Sequence, residues 1–407
     1  MLGKQTYLTE NHEGSMLTLS QKCNSKKRAS FQEGVDYENT PQGLIQQWSP
    51  PHKLPCVPAK DKENEAHFVL AKRPRRRKEP TGLSWDSLPD ELLLGILSCL
   101  PLQDLLATSR VCKRWHRLAF DESLWHSVDL SGKVQVDVAL QQVLSVGAVG
   151  LRCPRSCITE SFFLKARCLR VQHLDLSSCT VSPLVLEDLL SHCRQLRDLS
   201  LEGLLLSDSI LQSLSRNARL VRLNLCGCSG ISAQPLREML QGCARLEELN
   251  VSWCDFDSSH VKAVVEHITS SVVQLNISGY RQNFTMEDVK ALVERCPNLT
   301  HLDLSDSVQV TVESFPILQQ LSSLKHLSLS RCYQIQPATL IGLEKLPELK
   351  TLEVFGLVQD SYLPVLKETL PRVHINTCCF SSVARPTPAG CRDRSMWGAT
   401  CRLAFRP

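Results

Sequence analysis

Hydrophobic and polar positions follow three different patterns along the chain of 407 residues. From residue 127 to residue 377, a short Leu-x-Leu motif recurs every 24 to 27 residues, and segments with helical apolar spacing lie between the copies. The stretch from Trp85 to Trp125 shows helical apolar spacing alone, and residues 1–80 show no sustained periodicity. We therefore predict a leader at 1–80, a helical unit at 82–126, a repeat array at 127–377 and a tail at 378–407.

The repeat array is defined by eight aligned strands, whose first leucines are Leu174, Leu199, Leu223, Leu249, Leu275, Leu302, Leu327 and Leu352. Weaker units at the two ends start at Val128, Val149 and Val373, as is usual for capping repeats, so we expect about ten repeats. Neighbouring strands stack about 4.8 Å apart, whereas neighbouring helices need about 8–10 Å. The array must therefore curve, which predicts an α/β leucine-rich-repeat solenoid, or horseshoe, with its strands on the concave side.

One line of positions along the concave face differs between repeats. The leucines of each strand should point into the core, and the residues between them should project onto the concave face. The fourth residue after the first Leu is glycine or serine in most repeats, but it is Trp253, Asp306 and Arg331 in three. Tyr280 and Arg281 are expected near the same line. Aromatic and Arg side chains are preferred interface anchors, so we predict a protein-binding surface; ordinary solvated polarity is the alternative.

The helical unit at 82–126 should contain three helices. Pro89 and the acidic residues after it favour a helix start, and Pro101 ends this first helix. A short second helix is expected around 102–108, and a third should carry Val111, Cys112, Trp115 and Leu118. A unit of this size cannot cover so much Leu and Trp internally, so a partner or the repeats should cover the rest. A helical cap on the repeats is the alternative.

Composition narrows the class of protein. The net charge of +4 is mild and gives no indication of a nucleic-acid or membrane partner. No apolar run reaches the roughly 18 residues of a membrane span, and the N-terminus lacks an apolar signal core, which predicts an intracellular protein. Many of the 19 cysteines recur with the repeat, so we expect reduced, buried thiols at Cys179, Cys228, Cys254 and Cys332 after strands, and at Cys168, Cys193, Cys243 and Cys296 before them.

The sequence shows no sign of catalysis. Cys226 and other potential nucleophiles recur with the scaffold, and no His/Asp or carboxylate constellation converges around one of them. A glycine-rich phosphate loop and a set of zinc ligands are also missing from the sequence. We therefore predict a non-catalytic protein without a metal or a cofactor.

The proline-punctuated leader is expected to be disordered, and three short signals lie in it. A basic run, Lys72, Arg73, Arg75, Arg76, Arg77 and Lys78, predicts a nuclear-import patch, with a solvated charge run as the alternative. Lys62, Glu63 and Asn64 match a short degradation signal of cell-cycle proteins, although three residues also match by chance. Ser49 precedes Pro50 and is a candidate phosphorylation site.

The helical unit carries a resemblance. Leu88-Pro89-x-Glu91-Leu92-Leu93, Leu105-Leu106, Val111-Cys112-x-x-Trp115 and Asp121-Glu122-x-Leu124-Trp125 are similar to the F-box, which docks on a Skp-type adaptor in cullin–RING ubiquitin ligases. The resemblance implies partners in that adaptor and, through it, in a cullin and a RING subunit. The implied adaptor-binding residues are Leu88, Pro89, Leu92, Leu93, Ile96, Leu100, Leu105, Leu106, Val111, Cys112 and Trp115.

From Gly82 onward the chain resembles the S-phase kinase-associated F-box proteins with leucine-rich repeats. The stretches that carry the resemblance include Arg152-Cys153-Pro154-Arg155-Ser156, Ser252-Trp253-Cys254, Ser278-Gly279-Tyr280-Arg281, Leu302-Asp303-Leu304-Ser305-Asp306, Leu329-Ser330-Arg331-Cys332-Tyr333 and Ala384-Arg385-Pro386-Thr387. The resemblance implies the substrate-recognition subunit of an SCF-type ligase, which promotes proteasomal degradation of cell-cycle regulators and is present in nucleus and cytoplasm. A leucine-rich-repeat scaffold or inhibitor without a ubiquitin role is the rival.

The same resemblance assigns partners to the last repeats and the tail. They are implied to hold a Cks-type subunit that helps to capture a phosphorylated Kip-family Cdk inhibitor. The accessory and substrate residues are then Trp253, Tyr280, Arg281, Asp306, Arg331 and Phe380. Cyclin–Cdk is a further implied partner, although residues 1–80 align poorly. We expect the loop-like tail, which contains Phe380 and Trp397, to pack on the concave face.

Overall fold

The computed structural model describes residues 85–160, 168–387 and 395–405, which lie within one compact unit. The predicted disordered leader, its basic run at 72–78, the motif at 62–64 and Ser49 all lie outside these residues. In the described ranges, no helix combines the length and the apolar character that a membrane crossing requires.

The helical unit contains a 3-10 turn at Trp85–Ser87 and three helices, α1 (Asp90–Leu97), α2 (Leu102–Thr108) and α3 (Lys113–Ala119). The predicted first and second helices are confirmed. The third helix begins later than predicted, so that Val111 and Cys112 precede it. The reason is that Cys112 caps the helix from an extended conformation: its Sγ accepts a hydrogen bond from the Trp115 N–H at 3.5 Å.

The repeats build one parallel sheet, which confirms the predicted solenoid. Its strands are β1 (Ser127–Asp129), β2 (Gly150–Arg152), β4 (His173–Asp175), β6 (Asp198–Ser200), β7 (Arg222–Asn224), β8 (Glu248–Asn250), β9 (Gln274–Asn276), β10 (His301–Asp303), β11 (His326–Ser328), β12 (Thr351–Glu353), β13 (His374–Ile375) and β16 (Leu403–Ala404). They run across the sheet in the order β13-β12-β11-β10-β9-β8-β7-β6-β4-β2-β1-β16. Two small pairs, β3 (Cys157–Ile158) with β5 (Thr180–Val181) and β14 (Ser395–Met396) with β15 (Ala399–Thr400), lie outside it.

Helices connect the strands and cover the other side of the core. They are α4 (Asp137–Val146), α5 (Pro183–Ser191), α6 (Asp208–Ser215), α7 (Ala233–Gly242), α8 (Ser258–His267), α9 (Met286–Arg295), α10 (Phe315–Leu318) and α11 (Leu363–Thr369), with 3-10 turns at Val312–Ser314 and Pro337–Lys345. The strand leucines Leu199, Leu223 and Leu249 pair in register and are fully buried. Burial of a leucine of this kind stabilises the fold by about 1.5–3 kcal/mol. The leucines that set the repeat period are therefore also the residues that form the core.

The tail closes one edge of the sheet, a pairing that the sequence pattern does not predict. β16 pairs in parallel with β1, and Leu403 lies opposite Val128. Next to it, the Arg402 guanidinium donates hydrogen bonds to the carbonyl oxygens of Leu97 (3.2 Å) and Leu124. The C-terminal segment therefore covers the first strand of the array and ties it to the end of α1.

Candidate functional site

The helical unit exposes an apolar surface next to a narrow cleft. Leu92, Ile96 and Val111 are 56%, 44% and 64% exposed. Beside them, a cavity of about 200 Å³ is lined by Trp85, Leu93, Ile96, Leu97, Leu100, Thr108 and Trp115, and the rings of Trp85 and Trp115 meet edge to face at 5.7 Å. Exposed aliphatic groups around an apolar cleft are typical of a surface that a helix of another chain covers.

Not all residues predicted to bind the adaptor lie on this surface. Pro89 and Cys112 are exposed, and Leu88, Leu100, Leu106 and Trp115 are partly exposed. In contrast, Leu93 is 2% exposed and Leu105 is fully buried, so neither projects from the surface. A small unit needs some of its leucines for its own core. Leu93 lines the floor of the cleft, and Leu105 supports the surface from the core.

Arginines of α3 fasten the segment that carries this surface. The Arg114 Nε donates a hydrogen bond to Asp90 Oδ1 at 2.8 Å, and its terminal nitrogens donate to the carbonyl oxygens of Asp86 (3.1 Å) and Leu88. Arg117 forms a second ion pair with Asp90, whose pKa is lowered, mainly by the hydrogen bond from Arg114. These contacts hold the start of α1 against α3 and thereby position the exposed leucines.

On the concave face, the line of fourth positions is a line of left-handed backbone. Ser178, Trp253, Asp306 and Arg331 have φ values of 57°, 57°, 60° and 57°, and Gly203, Gly227, Gly279 and Gly356 also have positive φ. Glycine adopts this conformation freely, whereas a bulky side chain in it is rare and costly. Backbone strain of this kind is concentrated at functional sites. The left-handed backbone of Trp253, Asp306 and Arg331 is therefore a second indication, besides their residue types, that they belong to a functional site.

The residue between the strand leucines explains this conformation. Asn250 and Asn276 project onto the concave face as expected, where the Asn250 amide donates to the tail and Asn276 lines the concave cavity, and they are 0% and 3% exposed. Their side-chain oxygens each accept a hydrogen bond from the N–H two residues later, Ser252 and Ser278, both at 3.1 Å. These turns end each strand. The next residue then donates its N–H to the following repeat, as Trp253 does to the Ser278 carbonyl at 3.0 Å.

Asp306 and Arg331 form a two-pronged ion pair across neighbouring repeats. The Arg331 Nε donates to Asp306 Oδ1 at 2.8 Å, and Nη2 donates to Oδ2. The hydrogen bond to Asp306 raises the pKa of Arg331. Because Asp306 is only 7% exposed and the Arg331 side chain is 45% exposed, the pair presents a fixed guanidinium toward solvent. Such a group suits a partner carboxylate or phosphate.

Four of the six residues predicted to bind an accessory subunit or substrate line one cavity. This concave cavity of about 350 Å³ is lined by Trp253, Asp306, Arg331 and Phe380 among others. Trp253 and Phe380 are 48% and 65% exposed, which leaves two large apolar side chains beside an ion pair. Arg281 is exposed and follows the same left-handed pattern, with φ 41°.

Tyr280 does not lie on this surface, which corrects its assignment. It is 3% exposed, its hydroxyl donates to the Val251 carbonyl, and its ring stacks on Phe256 with centroids 5.7 Å apart. The left-handed turn at Gly279, with φ 96°, redirects the chain so that the next side chain enters the core. A count along the sequence placed Tyr280 beside Arg281, but the turn separates them.

The floor of the cavity carries two stacked histidines. His301 and His326 are register partners on β10 and β11, and their ring centroids are 4.0 Å apart. Burial, followed by the charges of His326 and Lys325, lowers the pKa of His301 to about 4, and burial also lowers that of His326. Both rings are therefore neutral at neutral pH and contribute a flat, uncharged surface.

Repeated cysteines are mostly scaffold. Cys179, Cys228, Cys254 and Cys332 are buried, and each thiol donates to a backbone carbonyl of an earlier turn at 2.9 to 3.3 Å. Burial raises the pKa of Cys193, Cys243 and Cys296 to about 12. Cys168 is exposed and so differs from the prediction. In the part of the chain that the structure describes, no group of three His, Cys, Asp or Glu residues is arranged to hold a metal ion.

Residues 381–387 of the tail contact the concave face of the earlier repeats. The Ala384 N–H donates to Glu248 Oε2 at 3.1 Å, and the Asn250 amide donates to the Val383 carbonyl at 3.2 Å. Further along, Arg385 pairs with Glu202, and the Arg152 guanidinium donates to the Thr387 hydroxyl. The tail therefore occupies the middle of the concave face, and the exposed stripe residues border it.

Comparison with known families agrees with this architecture. A family profile described as "SKP2 LRR domain" matches residues 138–404, and one described as "F-box-like" matches residues 85–131. The first match covers more than half of the chain, which therefore belongs to the SKP2 leucine-rich-repeat family and carries an F-box-like domain before its repeats.

Curated relatives share the two parts at moderate identity. An F-box/FBD/LRR-repeat protein of Arabidopsis thaliana is 28% identical over 234 residues, 54% of this chain and 54% of that protein. Putative F-box/LRR-repeat protein 9 of Arabidopsis thaliana is 23% identical over 243 residues, 59% of this chain and 94% of the relative. F-box/LRR-repeat protein 12 of Mus musculus is 27% identical over 241 residues, which cover 47% of this chain and 72% of the relative. The chain thus spans about half the length of the first of these relatives.

Two solved structures are similar at low identity. The leucine-rich-repeat-containing protein LegL7 of Legionella pneumophila is 18% identical with a TM-score of 0.35, over 54% of this chain and 81% of that chain. A chain of the yeast complex of Rad7 and Elc1 is 16% identical with a TM-score of 0.30, over 50% of this chain and 74% of that chain.

Proposed function

We propose that this chain is the substrate-recognition subunit of an SCF-type ubiquitin ligase, of the S-phase kinase-associated type. The observation that carries the proposal is the pairing of two surfaces on one body. The F-box-like unit exposes Leu92 and Ile96 beside an apolar cleft that Trp115 lines. The repeats that follow it present Trp253 and Arg331 at the concave cavity. A protein that only binds one partner needs no second surface of this kind.

The F-box-like unit docks on a Skp-type adaptor, and a cullin and a RING subunit join through that adaptor. The chain itself performs no covalent chemistry. It holds a substrate near a charged conjugating enzyme and so raises the effective concentration of a substrate lysine. The tie from Arg402 to the Leu97 carbonyl supports this mechanism, since a substrate held on the repeats keeps a defined distance from the adaptor surface.

The concave cavity holds a Cks-type subunit and, with it, a phosphorylated Kip-family Cdk inhibitor. Trp253 and Phe380 provide apolar anchors, and Arg331 and Arg281 provide cations for acidic or phosphorylated groups. Ubiquitylation of the inhibitor then leads to proteasomal degradation in the cell cycle. The leader functions belong to the same proposal: nuclear import by the basic run at 72–78 with action in nucleus and cytoplasm, a degradation signal at 62–64, phosphorylation at Ser49 and contact with cyclin–Cdk.

Size-exclusion chromatography of the full chain with purified adaptor tests the first step. The two proteins should co-elute as one complex, and Ile96→Glu, which places a charge on the exposed surface, should separate them. Leu184→Glu is the matched control, because Leu184 is also aliphatic and exposed but lies on α5. Two separate peaks from folded wild-type protein would contradict the ligase proposal and favour a repeat scaffold without a ubiquitin role.

A further inference from the structure

A cluster of arginines lies at the edge of the solenoid where three strands begin. Arg197, Arg219 and Arg245 precede β6, β7 and β8, and all three are exposed. They line one cavity of about 590 Å³ together with Gln172, Gln195 and Glu247. We call these three arginines the arginine rim. It lies beside β6, β7 and β8, away from the concave cavity that contains Trp253.

The arginines of the rim differ from Arg152, Arg222 and Arg385 of the concave face in their partners. Arg152, Arg222 and Arg385 each form ion pairs with carboxylates of the concave face. Within the described ranges, no ion pair or side-chain hydrogen bond is found for Arg197, Arg219 or Arg245. Glu247 is the carboxylate in the lining, so three cations face one anion. This imbalance attracts an acidic ligand.

Helix ends do not account for these charges. A cation stabilises a helix C-terminus only within about the last turn. The preceding helices end at Ser191, Ser215 and Gly242, so that Arg197, Arg219 and Arg245 follow them by six, four and three residues. Arg216 is instead the residue directly after α6.

Backbone hydrogen bonds hold Arg197 at the edge of the sheet. The Arg197 N–H donates to the Gln172 carbonyl at 2.7 Å, and the Arg197 carbonyl accepts from Val221 at 2.7 Å. Glu247 continues the series by donating to the Val221 carbonyl at 2.8 Å. These bonds extend the sheet by one residue in each repeat and hold Arg197 at its edge, whereas Arg219 and Arg245 lie in the turns two residues before the equivalent positions Val221 and Glu247.

We propose that the arginine rim binds an acidic peptide segment. Arg219 and Arg245 each lie two residues before the equivalent sheet positions Val221 and Glu247, so about one strand spacing, roughly 4.8 Å, separates their backbones, and one acidic stretch can reach both. A peptide is favoured over single-stranded nucleic acid because the lining contains no aromatic side chain on which bases would stack. The peptide is an acidic region of a substrate, and this identity rests on the proposed function. The binding of an acidic peptide does not depend on that function.

Fluorescence anisotropy with the full chain tests the rim. The probe is a fluorescein-labelled peptide of alternating Glu and Ser, and the same peptide with Gln for Glu is the probe control. The variant Arg197→Ser/Arg219→Ser/Arg245→Ser should bind the acidic peptide about tenfold more weakly at low ionic strength. Lys345→Ser/Lys350→Ser/Arg372→Ser is the matched protein control, because it removes the same charge from exposed positions of the last repeats.

Retention of the tenfold difference between the two triple variants supports the rim, and the wild type should not bind the Gln peptide. Equal loss in both variants would mean that net charge alone attracts the peptide and would overturn the proposal. Tighter binding of an oligothymidylate of equal length, lost in the same variant, would also overturn it and assign the rim to nucleic acid. Co-elution with the adaptor is measured on the same samples, so failure at the rim is distinguished from failure of the ligase proposal.

Discussion

Gly279 packs directly against the indole ring of Trp253 in the preceding repeat. A Cβ at Gly279 would lie 2.7 Å from Trp253 Cδ2 and 3.0 Å from Cε3, both too close for contact. Gly356 has the same relation to Arg331, where a Cβ would lie 3.0 Å from Cγ. Each of these large residues of the concave stripe thus lies over a glycine of the next repeat, which fixes the direction in which it points.

Gly279→Ala should therefore move Trp253 and weaken Cks-type binding. The added methyl group displaces the indole and forces alanine into φ 96°, at a cost of about 1–2 kcal/mol in unfolding free energy. Gly203→Ala is the matched control, because Gly203 has φ 75° but its Cβ would lie 3.7 Å from its nearest neighbour. Calorimetry should show similar destabilisation of both variants and loss of accessory binding in the first alone. Equal accessory binding by both would mean that the position of Trp253 is unimportant.

The ion pair between Asp306 and Arg331 should contribute modestly to stability. Arg331→Ala leaves the buried Asp306 carboxylate without its guanidinium, and we expect a loss of about 1 kcal/mol, reduced by the partial exposure of Arg331. In an Asp306→Asn background the same substitution should cost less, since no buried charge is left unpaired. Urea unfolding of the four proteins checks this, and additive effects of the two substitutions would contradict the coupling.

Acidification should destabilise the fold through His301. Its pKa of about 4 lies below the unfolded value of about 6.5, so the unfolded chain takes up the proton first as the pH falls. Stability is therefore lost between about pH 6.5 and pH 4, and after allowance for partial exposure we expect about 1 kcal/mol of this loss by about pH 5. Thermal unfolding at neutral pH and near pH 5 should show a smaller decrease for His301→Asn than for wild type. Identical decreases would exclude His301 as the source.

The repeat period was sufficient to predict the sheet and its core. Leucines 24 to 27 residues apart have to be buried together, and the structure aligns Leu199, Leu223 and Leu249 in one buried row. The concave stripe was found by the same count, but its cause was not. Glycine at four of the eight copies was the signal for a left-handed position, which the prediction of the stripe did not use; these glycines share positive φ with Trp253.

Other features depend on contacts that periodicity does not contain. Two residues are too short to show a strand pattern, so β16, which pairs with a strand some 275 residues earlier, could not be predicted. The inward direction of Tyr280 depends on the turn at Gly279, and the burial of Leu93 and Leu105 depends on how three helices share a small core. For Tyr280, Leu93 and Leu105, the sequence indicates the apolar or aromatic character of the side chain, whereas the tertiary structure determines the direction in which it points.

The central claim is that one chain carries two separable docking surfaces, and reciprocal variants test it most directly. Trp115→Ala and Trp253→Ala/Arg331→Ala are each assayed by calorimetry against the adaptor and the Cks-type subunit, with circular dichroism to verify folding. We predict that Trp115→Ala weakens adaptor binding by about tenfold or more and leaves accessory binding unchanged, and that the double variant does the reverse. Loss of both activities in either folded variant, or unchanged accessory binding in the double variant, would contradict the account.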